Sequence, residues 1–164
     1  MKVLQFYFLA LLLLTASCSS IECPLNSLVY TQYQLMKPDG SKDTLTQFLS
    51  VSTSRAIDGN DSVLINLNTN TTEFSLPISY SQPQDVFYFE MIDTVAGYTL
   101  LDTVTVVKTD QPHFESVECS PLYFHTITSV GTTHNAIYSI VVKNPDVSYD
   151  TSKKHIYIYY KPRD

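Results

Sequence analysis

The residues of this 164-residue chain with chemistry to offer are three cysteines, four histidines, scattered acids and four Asp-Ser/Thr-apolar triplets. Cys18 closes a leader made of Lys2, an apolar run from Val3 to Leu14 broken only by Gln5, and the small residues Ala16 and Ser17. A thiol in that setting is placed for acylation as a thioether after export. The competing reading is ordinary secretory cleavage near Ser17, which leaves Cys18 a plain thiol. Cys23 and Cys119 remain, and the oxidising envelope of a Gram-negative cell would pair them. Their bridge would close 96 residue steps and is worth up to ~4–5 kcal/mol in the chain-entropy model. Two unpaired thiols are the alternative. For a catalytic Cys119, no histidine stands at a recognisable spacing and nothing lowers the thiol pKa.

The other polar residues point to structure before chemistry. His113, His125, His134 and His155 fall on different strands and loops, where solvated side chains are expected and no metal site is. Glu115 and Glu118 are not spaced as a recognisable acid pair. No G-x-S-x-G elbow, phosphate-cradling glycine loop or H-E-x-x-H pair occurs. No catalytic, cofactor-binding or metal-binding residue is therefore assigned, and the chain is read as a non-enzyme without cofactor. Asp58-Gly59-Asn60-Asp61 offers clustered oxygens, but lacks EF-hand spacing and has the residues of a hairpin turn.

Two sets of residues carry a modification or binding reading beside a structural one. The triplets starting at Asp43, Asp61, Asp93 and Asp102 make Thr44, Ser62, Thr94 and Thr103 candidate O-glycosylation acceptors, although a turn Asp followed by a strand-forming Thr gives the same pattern. Among the 12 tyrosines, Tyr88, Tyr123, Tyr157 and Tyr159 could form a sugar-stacking platform if they point outward. Tyrosine also packs half-buried on pleated surfaces, and the chain has no tryptophan.

The elements that must position these groups are strands. Apolar residues recur at period two in short runs: Val29–Leu35, Leu45–Val51, Val63–Leu67, Phe87–Met91, Val104–Val106, Leu122–Thr126, Tyr138–Val142 and Ile156–Tyr160. Phe74, Leu76 and Ile78 form another, demoted to an edge because Pro77 has no N–H. Nine or ten strands with turns between them predict an all-β fold, a two-sheet antiparallel sandwich of immunoglobulin-like type. Residues 1–17 read as signal peptide, 18–26 as lipidated tether and 27–164 as one sandwich domain.

The leader's apolar run, as a helix, spans roughly 20 Å, short of the ~30 Å hydrocarbon core. It resembles a bacterial lipoprotein signal, which implies acyl chains on Cys18 and, at ~0.8 kcal/mol per buried CH₂, firm anchoring. The formal charge is −6, and loss of Lys2 with the leader makes it one unit more negative. An acidic chain with dispersed bases has no footprint for nucleic acid. Ser19-Ser20-Ile21-Glu22 supplies one acid after Cys18, which favours an outer-membrane protein facing the periplasm over a surface-exported one.

Asp102-Thr103-Val104-Thr105-Val106-Val107, PHFESVECSPLYFHTI, YSIVVKNPDV and HIYIYY resemble a family of uncharacterised Bacteroidota lipoproteins. The shared features are a D-T-L-T-like strand, a following E-C, an N-P-x-V turn and a second cysteine soon after the lipidated one, the place of Cys23. The resemblance implies location and adds support for the Cys23–Cys119 pair; it implies no activity. The reading is a lipid-anchored cell-envelope protein, a non-catalytic accessory or interaction module with an envelope protein partner. The alternative is a surface glycan-binding lipoprotein of a polysaccharide-capture system.

Overall fold

Ten strands form where apolar residues alternate, and the described residues contain no helix. The structure is a computed structural model that describes Cys23, residues 28–54 and residues 59–162. Cys18, residues 1–17 read from sequence as a signal peptide, and Asp58 lie outside the described residues. The strands are β1 (Tyr30–Leu35), β2 (Phe48–Ser54), β3 (Asp61–Asn68), β4 (Glu73–Pro77), β5 (Gln84–Asp93), β6 (Tyr98–His113), β7 (Leu122–Thr132), β8 (Ile137–Val142), β9 (Asp146–Val147) and β10 (Ile156–Tyr160). They build a four-stranded sheet, β4-β1-β10-β8, and a six-stranded sheet, β3-β2-β5-β6-β7-β9. All these pairings are antiparallel except β1 with β10. The sandwich expected from the sequence is what forms, and β4, with Pro77 at its end, is an edge strand.

One apolar core lies between the sheets. Tyr33, Leu35, Leu76, Ile156 and Ile158 from the first sheet meet Leu49, Val51, Phe87, Phe89, Met91, Val104 and Val106 from the second. Tyr33 stacks on Phe74 at 5.0 Å, and both tilt against Phe89 across the interface at 6.3 and 5.9 Å. Each fully buried side chain of this size contributes roughly 1.5–3 kcal/mol.

Two buried polar residues hold the sheets in register. Asp102 is 0% exposed on the inward face of β6. Its Oδ1 accepts from Thr133 Oγ1 at 2.8 Å and Asn135 N at 2.7 Å, and its Oδ2 from Ala136 N at 2.7 Å and Ile137 N at 2.8 Å. Those donors lie where the chain crosses from β7 in one sheet to β8 in the other. Burial pushes this carboxyl up, but the four hydrogen bonds outweigh it and leave the pKa below the usual carboxylate value. His155 ties β1 to the start of β10. Its Nδ1 accepts from Gln32 N at 2.8 Å, and its own N donates to Gln32 O at 2.9 Å.

Local departures have local causes. Val63, Ile65 and Leu67 do not share a buried face: Val63 and Leu67 are exposed, while Leu64 and Ile65 pack on the core. Register shifts beside Val51 and the positive φ of Leu67 (49°) interrupt the alternation. On β7 the buried residues are Leu122, His125 and Ile127, so Phe124 and Thr126 do not share Leu122's buried environment. The antiparallel β2–β3 pairing runs to Ser54 opposite Asp61, and Gly59 stands at φ 68°, a conformation glycine adopts without strain.

Candidate functional site

Strand lengths create the most distinctive region. β5 pairs with β6 from Gln84 opposite Val107 to Asp93 opposite Tyr98. Beyond Val107, β6 continues for six residues paired to β7 instead. The result is a β6–β7 hairpin arm that extends past the start of β5, flanked near its root by β9 at His125 and Thr126, with residues 114–121 as its tip. Cys119 lies in that tip and is bonded to Cys23, with 5.5 Å between Cα atoms. The chain ahead of β1 is thereby stapled to the tip through Cys23.

At the root of the arm the inward face turns from apolar to ionic. Lys108 follows Val104 and Val106 on that face and is only 3% exposed. Its Nζ lies 3.7 Å from Asp85 Oδ2 and 3.3 Å from Asp110 Oδ1, and donates to Gln82 O at 2.5 Å. His125, opposite Asp110 in the ladder, is buried and donates from Nδ1 to Asp110 Oδ1 at 2.7 Å. Burial pushes the Asp85 carboxyl up to about 6 against the pull of Lys108. Burial also depresses the pKa of His125, against the hydrogen bond to Asp110, and that of His155. A cation between two carboxylates is a closed network, and no hydroxyl or thiol takes part in its hydrogen bonds and ion pairs. Its evident work is to seal the place where β6 parts from β5.

Aromatic rings cover the arm. Tyr80 stacks on Tyr123 at 4.9 Å, His113 on Phe124 at 4.4 Å, and Tyr149 meets Phe124 edge-on at 5.1 Å. The tip itself exposes Phe114 at 61% and Val117 at 101%. Where β5 begins, a hollow of about 760 Å³ opens between Leu28, Leu64, Ile78, Tyr80 and Phe87, with Asp85 the one charged group among its described lining residues.

The sequence-predicted residues distribute as follows. The Cys23–Cys119 disulfide is formed. Thr44 and Thr94 are exposed outside the strands, whereas Ser62 and Thr103 are half-buried within β3 and β6. The acids before two of these acceptors do structural work. Asp93 Oδ1 accepts from the backbone N of Val95 and Ala96, and Asp102 is consumed as above. The tyrosines do not form a row. Tyr88 lines a shallow groove of about 520 Å³ on the outer face of the six-stranded sheet, with Asp61, Asn66 and Glu90. Tyr157, with Lys143 Nζ 5.9 Å from its ring centroid, and Tyr159 lie on the other sheet, and Tyr123 on the arm.

The histidines correct the sequence reading in part: His125 and His155 are buried, not solvated, because each exchanges water for a fixed hydrogen-bond partner. His134 is exposed and His113 half-buried. Among the described residues no group of three His, Cys, Asp or Glu is placed to hold a metal ion. Lys108, Asp85 and Asp102 were not singled out as site residues from sequence. Their signal was available, since each continues the parity of an apolar inward face, Asp85 before Phe87, and Asp102 and Lys108 on either side of Val104 and Val106.

These features define a class: a two-sheet β-sandwich with a disulfide-stapled entry chain and a projecting hairpin arm. The chain belongs to a family of unknown function (DUF6452), whose profile matches residues 48–160. No curated protein matches it, and no solved structure does.

Proposed function

We propose that this protein is a lipid-anchored component of the bacterial cell envelope, held by acyl chains on Cys18 and serving as a non-catalytic accessory or interaction module for an envelope protein partner. The observation that carries the reading is the Cys23–Cys119 bond. A disulfide in a domain of this size belongs to an oxidising compartment, which agrees with the export leader. Its position, five residues past Cys18, suits a short mooring line clamped to the body it moors. The outer membrane, with the domain facing the periplasm, is the address the residues after Cys18 favour, and a Bacteroidota lipoprotein is the source the resemblance favours. The dispersion of Tyr88, Tyr123, Tyr157 and Tyr159 supports an accessory role over a stacking platform.

A second reading, capture of a glycan, draws on the Tyr88 groove with its Asp61, Asn66 and Glu90 side chains. If the chain is O-glycosylated, Thr44 and Thr94 are the acceptors that accommodate a sugar without disturbing a strand.

Intact-mass measurement of the protein extracted from membranes tests the main reading. The expected species begins at Cys18 and carries two or three acyl chains, and Cys18→Ala abolishes both cleavage and membrane retention. A mature chain without acyl mass, or one that keeps its leader, overturns it.

A further inference from the structure

We infer that the tip of the β6–β7 arm is a lipid-docking surface, with Phe114 and Val117 seated in the headgroup region of the membrane that holds the chain's own anchor. The inference rests on the acylation of Cys18 proposed above and adds an orientation to it. Five residue steps separate Cys18 from Cys23, and an extended chain covers at most about 18 Å in that count. Cys23 is in turn fixed to the tip, its Cα 5.5 Å from that of Cys119. The disulfide thus selects which end of the sandwich the anchor draws toward the bilayer.

That end has the surface for it. Phe114 and Val117 stand 61% and 101% exposed on the tip, and the exposed rings of Tyr80 and Tyr149 lie behind them on the arm. Rings with an apolar body and a polar hydroxyl favour the membrane–water boundary. The tip also carries Glu115 and Glu118, and no Lys or Arg occurs between Thr109 and Val142. Zwitterionic headgroups, which carry no net charge, therefore suit it better than anionic ones. The opposite end of β6, fifteen residue steps away, lies about 50 Å off at the rise of an extended strand. There Val95, 97% exposed in the β5–β6 turn, is an equally accessible residue on the face directed away from the bilayer.

The chain has no tryptophan, so a substituted one is a unique reporter. Phe114→Trp, Val117→Trp and Val95→Trp are made in the full chain, shown by intact mass to be acylated, and reconstituted in phosphatidylcholine vesicles with brominated acyl chains. Emission from the two tip variants is expected to shift to the blue and lose most of its intensity relative to unbrominated vesicles, while Val95→Trp keeps both. Acylated protein whose tip tryptophans are unquenched overturns the docking and leaves the anchor standing. Quenching of Val95→Trp in place of the tip variants overturns it too. Protein recovered without acyl chains contradicts the anchor itself, and the docking with it.

Discussion

The two halves of β6 face different surroundings and solve burial in different ways. From Tyr98 to Val107 the strand has β5 on one side and the opposite sheet above it, and its inward face is Val104 and Val106 against Phe87 and Phe89. From Lys108 to His113 it has lost β5, and the inward face becomes Lys108 and Asp110 beside His125. Where a second sheet covers a face, apolar packing is the cheapest way to exclude water. At the arm's root charges can be buried because Asp85 of β5, Asp110 of β6 and the Gln82 carbonyl converge on one ammonium group, and His125 of β7 bonds Asp110 in turn. A buried charge cluster of this kind is weak evidence for net stability, but removing one member leaves the others unpaired. The apolar half packs the core, and the ionic half links β5, β6 and β7 where β5 begins.

The largest effect is expected from the one acid within the apolar half. Asp102→Ala strands buried backbone donors of the β7–β8 crossover, at ~1–3 kcal/mol for each group left unsatisfied. Urea unfolding should show a loss of about 3–5 kcal/mol, since Asn135 is exposed and can turn to water. Because the folded pKa of Asp102 lies below its unfolded value, its contribution is present above about pH 4 and lost as pH falls through the folded pKa. Next in size is the staple: the double variant Cys23→Ser, Cys119→Ser should lose about 2–4 kcal/mol, and reductant should lower the wild-type melting temperature but not the variant's.

The ionic half should respond differently to pH. Lys108→Met removes the cation and leaves two carboxylates facing each other, at a cost of about 2–3 kcal/mol near pH 7, below that of a fully buried pair because Asp110 is partly exposed. Asp85 already has a raised pKa of about 6, so protonation should restore part of that stability as pH falls from 7 to 5. A loss independent of pH would show that the network is not electrostatically coupled. The smallest effect concerns His155. Its folded pKa is depressed, so its contribution is present above about pH 6.5 and declines as pH falls through the folded value. His155→Asn, whose side-chain oxygen can still accept from Gln32 N, should flatten the wild-type decline between pH 6.5 and 5 in thermal melts.

The same contrast explains what was legible in the sequence. Phe87, Phe89, Met91, Val104, Val106, Ile156 and Ile158 announced their faces because alternation is local and each face is buried by apolar neighbours. Pro77 announced an edge because a missing N–H cannot sit inside a ladder. The cysteine pair was legible through compartment, not geometry. Lys108, His125 and His155 were not, because a titratable residue on a strand defaults to solvent until its partner is known, and those partners lie 2 to 123 positions away in the chain. The parallel pairing of β1 with β10 left no trace for a similar reason. It joins the two ends of the described domain, and no turn between them encodes it.

The proposed anchoring requires one covalent path from the membrane to the arm. Peptide mapping of membrane-extracted protein without reduction measures it directly. The predicted result is a single disulfide-linked species in which a segment beginning at acylated Cys18 is joined through Cys23 to the segment containing Cys119. Free thiols at 23 and 119, or a linked species with no acyl chain on residue 18, would contradict it.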